Sequence, residues 1–248
     1  MVIKVILLLV FFAVMLGIGF YSRKHATDVN GFVLGGRSVG PWLTAFAYGT
    51  SYFSAVVFVG YAGQFGYKYG LASTWIGIGN AVLGSLLAWV VLGRRTRIMT
   101  KHLKSMTMPD FFGKRYGSKS LRVAASMIAF IFLIPYTASV YNGLSYLFGM
   151  AFIAAVLSGH GGFLAAVKEL AHVPSDVMPG AYASFFGPDP LNLLGVVILT
   201  SLGTWGLPQM IQKFYAIKDE KAVHTGTIIS TLFAVVVSGG CYFLGGFS

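Results

Sequence analysis

The chain has 248 residues, of which 56% are hydrophobic and 10% charged, with a mean hydropathy of +0.75; soluble domains run near 45–50% apolar and about 25% charged, so composition excludes an ordinary soluble fold. The net charge of +11 would suit a nucleic-acid binder only as a basic face on a soluble module, whereas here the basic residues fall between apolar blocks. Cys241 is the single cysteine, which excludes an internal disulfide and cysteine-built metal sites.

Apolar blocks occupy roughly 3–20, 42–66, 71–93, 121–158, 190–213 and 222–246. Each is long enough for a ~30 Å hydrocarbon core and none shows the strict alternation of a barrel strand. Because every backbone amide in lipid needs an internal partner, the sequence predicts an all-α integral membrane protein of about six transmembrane helices. The first block follows Lys4, lacks a small-x-small cleavage pattern and ends in Tyr21-Ser22-Arg23-Lys24, which predicts a retained span. With the N-terminus outside, 15 of the 18 Lys and Arg residues fall in the inner connections, leaving only Lys4, Lys68 and Lys168 outside, as the positive-inside bias requires.

The second block contains Gly49-Thr50-Ser51-Tyr52-Phe53-Ser54, a glycine among hydroxyl side chains near mid-membrane. The fifth contains Gly203-Thr204-Trp205-Gly206-Leu207-Pro208, where Pro208 removes an amide donor and clashes with the preceding turn. Two readings follow: small residues that let helices pack closely, or a pair of broken helices that mark a transporter's midplane binding site. Between these blocks, the inner connection 94–120 carries Thr107-Met108-Pro109-Asp110-Phe111-Phe112 and the turn Tyr116-Gly117-Ser118, and predicts an amphipathic, surface-lying segment. The outer connection 158–189 places Phe163, Leu164, Val167 and Leu170 at helical spacing ahead of Pro174, Pro179 and Pro188, and predicts a short interfacial helix followed by irregular chain. Lys218-Asp219-Glu220-Lys221 reads as a solvated loop before a helix start, and Trp42, Tyr61, Tyr67, Tyr69 and Trp75 read as interface markers. The seven acidic residues lie in loops or at span ends and the five histidines keep no ligand spacing, so neither an enzyme nor a metal centre beyond a bound monovalent ion is expected.

Phe32-Val33-Leu34-Gly35-Gly36-Arg37-Ser38-Val39-Gly40-Pro41-Trp42, the 49–54 stretch, Thr107 to Phe112 with Arg115, and Leu207-Pro208-Gln209-Met210-Ile211-Gln212-Lys213-Phe214 occur in one order along the chain. Together they resemble the sodium:solute symporter family, over nearly everything from residue 5 onward. The resemblance implies two inverted five-helix repeats of the amino-acid-transporter-like kind, preceded by an extra helix. Substrate and Na+ would bind where the first helix of each repeat unwinds, in 42–66 and 190–213. It places sodium on the main-chain carbonyls of Thr50 and Phe53, and the solute against Ser54, Tyr52, Thr204 and Pro208. Proline-type members carry an aspartate where this chain has Tyr52, which either walls the pocket with a hydroxyl or packs as an aromatic between helices.

Measured against that pattern the fold is expected to be incomplete. The sequence passes from Leu147-Phe148-Gly149-Met150 almost directly to Ser158-Gly159-His160-Gly161, so the fourth helix and most of the fifth are expected to be missing, and the chain stops after the second helix of the second repeat. The expected organisation is one transmembrane domain over 1–248: an extra helix at 3–21, part of the first repeat at 42–158, an outer loop at 159–189 and part of the second repeat at 190–248. Sodium-coupled symport of a small organic solute, an amino acid or carboxylate-bearing molecule, across the cytoplasmic membrane is the expected family activity. The shortened chain is expected not to transport alone. The alternative is a helical assembly subunit whose small-residue faces bind the missing helices or another copy of the chain. The lipid bilayer is the expected environment, and no nucleic-acid partner is expected.

Overall fold

A computed structural model describes residues 2–23, 28–52, 61–145 and 163–247, and these are helical apart from turns and one parallel bridge between Val39 and Ile217. The first helix, α1 (Val2–Ser22), keeps its stretch Leu9–Ser22 exposed, as a lipid-facing rod does. A short α2 (Val29–Leu34) leads into a turn in which Gly35, Gly36 and Arg37 all take positive φ. Glycine adopts that region without steric cost. Arg37 does not, and its guanidinium is held by donating to the carbonyls of Thr100 and Ser105. The Gly-Gly-Arg of the sequence motif is therefore a backbone device that aims α3 (Pro41–Tyr52) into the bundle.

Residues 62–102 form one helical path in several pitches: α4 (Ala62–Tyr69), a 3₁₀ turn Gly70–Ser73, α5 (Thr74–Gly79), wide π turns at Asn80–Leu86 and Trp89–Gly93, and α6 (Arg94–His102). At its start Gly70 leaves helical geometry with φ 59° and ψ −140°. Then come α7 (Met108–Tyr116), α8 (Lys119–Ser145), α9 (Phe163–His172), α10 (Pro190–Leu202), α11 (Pro208–Ala216), α12 (Glu220–Ala234), a π turn Val235–Gly239 and α13 (Gly240–Gly245). Among the described residues three helical stretches have the length and hydropathy to cross a membrane, and the bent pair α10–α11 makes a fourth. The expected span 42–66 runs partly through residues outside the description, as does the end of the block 121–158.

Two apolar clusters hold the bundle. One gathers Tyr48, Trp89 and Phe214 with Val223 and Ala234 between α3, the second π turn, α11 and α12. The other gathers Tyr69, Ile76, Leu193, Val197 and Tyr242 between α4, α5, α10 and α13. Close approach depends on small residues, since lipid offers no hydrophobic drive between helices. A Cβ on Gly66 would collide with the Gly245 carbonyl, and one on Gly226 would meet the Trp89 ring. Ser85 and Ser230 share a buried hydroxyl–hydroxyl hydrogen bond of 2.9 Å across the same contact.

Two expectations change on meeting the packing. Residues 94–102 continue the preceding span, and only α7 forms a separate short helix in the connection. Tyr69 is fully buried in the second cluster, unlike Tyr67, which is 80% exposed, because positions two apart on a helix point about 200° apart. Residues 218–221 are exposed and lead into the helix start, as a solvated loop does, and they are also anchored: the Lys218 amide donates to the Val39 carbonyl, Arg97 donates to the Lys218 carbonyl, Asp219 caps α12 through the Ala222 amide, and Glu220 pairs with Arg94.

The Thr107 to Phe112 motif proves to be a helix start. Thr107 accepts from the Asp110 amide, Pro109 sits in the first turn where its missing N–H costs nothing, and the Asp110 carboxylate accepts from the Met106 amide at 3.2 Å. The same carboxylate pairs with Lys114 at 2.9 Å and Arg122 at 3.7 Å, which joins α7 to α8. Burial alone would raise its pKa; the Lys114 and Met106 hydrogen bonds and the two positive charges outweigh that and hold it below the usual carboxylate value.

Candidate functional site

The fifth block breaks where the sequence placed the break. Pro208 pushes Leu207 out of the α region, to ψ 126°, because its ring crowds the residue before it. The chain therefore leaves α10 through a 3₁₀ turn, Gly203–Gly206, and restarts as α11 with Pro208 in its first turn. The two arms, Pro190–Gly206 and Pro208–Ala216, meet at 54°. The Thr204 carbonyl, which an unbroken helix would pair with the missing amide of Pro208, accepts from Leu207 instead at 3.2 Å.

Against this break stands the end of α3. Tyr52 is 5% exposed, and its hydroxyl lies 3.3 Å from the carbonyls of both Thr200 and Ser201 and 3.4 Å from Asn80 Oδ1. The Thr204 hydroxyl also reaches the Tyr52 phenol, and it donates to the Ser201 carbonyl at 3.1 Å. Asn80, 2% exposed, is the centre of this cluster: Thr200 Oγ1 donates to its side-chain oxygen at 3.1 Å and Ser201 Oγ at 3.0 Å. The widened turn at 80–86 supplies further acceptors. Leu83 offers its carbonyl to the Trp205 indole at 3.0 Å, and Gly84 offers its own to the Tyr48 hydroxyl at 3.3 Å. Gly84 has to be a glycine here, since a Cβ would collide with the Tyr52 hydroxyl.

The structure thus brings together Tyr52 and Thr204, which the sequence had placed 152 positions apart in one pocket. Tyr52 stacks on Tyr48 with ring centroids 6.1 Å apart, as a packed aromatic does, and its hydroxyl faces the break. Thr50 lies on the same helix, with its hydroxyl donating back to the Phe46 carbonyl at 2.9 Å. Phe53 and Ser54 lie outside the described residues. Pro208 faces another feature, an apolar cavity of about 590 Å³ with Met108, Pro109 and Phe112 of α7, Phe132, Leu133 and Tyr136 of α8, and Gly206, Leu207 and Gln209 on its walls.

Asn80, Thr200 and Ser201 escaped the sequence reading. An Asn inside a span is costly unless partnered, and that signal alone would have singled out Asn80. The hydroxyls of Thr200 and Ser201 sit in an ordinary helical turn and carry no such signal. Among the described residues no ionisable side chain other than the phenol belongs to the cluster, and no group of three His, Cys, Asp or Glu could hold a metal. The chemistry on offer is neutral oxygen: carbonyls, hydroxyls and one amide. These are ligands for a hard monovalent cation or for hydrogen-bond donors of a small polar molecule.

Comparison with known proteins adds the context. The family model "Sodium:solute symporter family" matches residues 32–164 and 139–248. Curated sodium/proline symporters of Staphylococcus aureus, among them those of strains JH9, NCTC 8325 and MW2, are 31% identical over 259 residues, covering 87% of this chain and 50% of each relative. The chain spans about half the length of the curated relatives it matches. The 259 aligned positions exceed the roughly 216 residues that 87% of this chain supplies, so about 43 positions inside the aligned stretch of the relatives have no counterpart here. That is the length of two membrane crossings of ~20 residues. The two matched stretches overlap at 139–164, where the sequence expects helices to be missing.

Proposed function

The chain belongs to the sodium:solute symporter family, and on that premise we propose that it carries the central binding site for sodium-coupled symport of a small organic solute, an amino acid or carboxylate-bearing molecule. It is a multi-pass membrane protein, and we place its N-terminus outside on the charge bias of the connections. The observation that carries the reading is the meeting of Tyr52 with Thr200 and Ser201, where α3 abuts the helix that is interrupted at 203–208. Bound sodium would supply the charge that couples solute binding to the ion gradient. Its proposed ligands are the carbonyls of Thr50 and Phe53, and the neutral oxygens on the page fit that ion in kind. Ser54, Tyr52, Thr204 and Pro208 are the proposed solute contacts.

Because about 43 positions inside the aligned stretch of the relatives have no counterpart, we propose that this chain binds solute without carrying it, since alternating access needs both bundles to rock about the site. Reconstituted in proteoliposomes, the chain should bind radiolabelled solute in sodium and not in potassium, with no net uptake on an inward sodium gradient. Robust uptake would overturn the binding-only reading. Loss of apparent affinity by about tenfold is expected for Thr204→Ala and for Ser54→Ala; if neither variant changed it, the site assignment would fall.

One observation favours a second reading, an assembly subunit. The stretch Lys119–Thr137 of α8 buries none of its side chains in the described fold. A stable homo-oligomer in detergent combined with no solute binding would select that reading.

A further inference from the structure

We propose that Arg37, Arg97 and Ser105 form a binding site for a phosphate-type oxyanion, separate from the solute site and independent of it. Two guanidiniums meet at the end of α6. Arg37 donates through Nη2 to the carbonyls of Thr100 and Ser105. Arg97 stands one turn before Thr100, on the same face of α6, and donates through Nη2 to the Lys218 carbonyl at 2.7 Å. The Lys218 amide donates in turn to the carbonyl of Val39, two residues on from Arg37, so the two side chains flank one backbone bridge. Their charges are near enough to repel each other.

The remaining donors of this group have nothing to bond to. Arg37 Nη1, Arg97 Nε and Nη1, and Ser105 Oγ are all buried without a hydrogen-bond partner. Arg97 is 5% exposed and Ser105 fully buried. Among the described residues neither arginine has an ion pair. The acid whose field reaches Arg97 is Asp219, and its carboxylate already caps α12 through the Ala222 amide. A buried charge that has lost its hydration is costly until a counter-charge and hydrogen bonds replace the water. An oxyanion supplies both at once: its oxygens accept from the two guanidiniums and from the Ser105 hydroxyl, and its charge cancels their repulsion. The pair also lies close beneath the surface, since Gly35, Gly36 and Ser38 beside Arg37, and Lys101, His102 and Lys104 beyond Arg97, are exposed. A lipid headgroup phosphate and free inorganic phosphate share the chemistry required. Either one, once bound, ties the entry of α3 to the exit of α11 and to the end of α6.

The test uses the purified full chain in dodecyl maltoside, a detergent without phosphate, at constant sodium and ionic strength, with thermal unfolding as the readout. Inorganic phosphate replacing chloride should raise the midpoint saturably if the free ion is the ligand; phosphatidylglycerol added to the micelles in chloride should raise it if a headgroup is. Arg97→Gln should raise the half-saturating concentration of the effective ligand about tenfold. Ser105→Ala removes a hydroxyl that has no partner in the fold, so it should unfold like wild type without ligand and need about threefold more ligand for the same shift. That second variant carries the test should Arg97→Gln fail to fold. No shift with either ligand would overturn the inference. Shifts of undiminished size and affinity in the variants would also overturn it, because they would place the anion elsewhere on a basic surface.

Discussion

α8 and α12 are both apolar enough to cross a membrane, yet none of the side chains in α8's Lys119–Thr137 stretch is buried, against a third of those in the span that begins with α12, Glu220–Gly245. Val123, Met127, Phe130, Ile131 and Phe132 of α8 all stand exposed, while α12 buries Gly226, Thr227 and Ser230 against α3 and the 80–93 segment. The difference teaches that hydropathy decides residence in lipid, and small or hydroxyl-bearing residues decide which helix face finds a protein partner. α8 is anchored instead at its base, through Asp110, Lys114 and Arg122.

The comparison can be broken most forcefully on the tightly packed side. Gly66→Val drives a branched side chain into the Gly245 carbonyl, and should cost about 3 kcal/mol or more, read as a lower unfolding midpoint or loss of monodisperse protein in detergent. Next in size is the anchor of α8. Asp110→Asn removes the ion pairs with Lys114 and Arg122 and should cost about 1 kcal/mol. Because the folded carboxyl lies below its ordinary value, its contribution is complete at pH values above that of an unfolded aspartate and disappears as pH falls through the folded value. Unfolding midpoints of wild type should therefore drop on acidification below about pH 4, and those of Asp110→Asn should drop less.

Smaller still is the shared hydroxyl pair. A double-mutant cycle on Ser85→Ala and Ser230→Ala should return a coupling of about 0.6 kcal/mol, the usual size for a hydrogen bond between membrane helices. The smallest effect belongs to the open helix, where Ile131→Ala should move the unfolding midpoint of a monomer by less than about 0.5 kcal/mol equivalent. A large loss there would show that α8 is covered by a second copy, and the contrast between the two helices would then belong to the monomer only.

Much of the site was legible locally. Pro208 reveals its break through a missing amide and a crowded neighbour, both of which are properties of two adjacent residues, and the bent pair sits where those residues put it. The helix start at Thr107 to Asp110 is equally local. Tyr52 was readable only as one of two alternatives, because whether its hydroxyl meets oxygen or hydrocarbon depends on helices far along the chain. Asn80 shows the limit more sharply: its neighbours in sequence are Gly79 and Ala81, whereas its hydrogen-bonding partners come from residues 120 and 121 positions later.

What the amino-acid order determined by itself was residence in the bilayer, the helical solution and the place of the interruption at 203–208, since each follows from backbone hydrogen bonding and from the solvent that surrounds it. What only the tertiary structure decided was which faces are covered and which polar groups converge. Tyr69 is buried and Tyr67 exposed; Asn80 becomes a hub; α8 goes without cover among the described residues. Those outcomes depend on distances between segments that are remote in sequence, and lipid, being as apolar as the side chains, leaves the choice of partner to packing and to hydrogen bonds formed at contact.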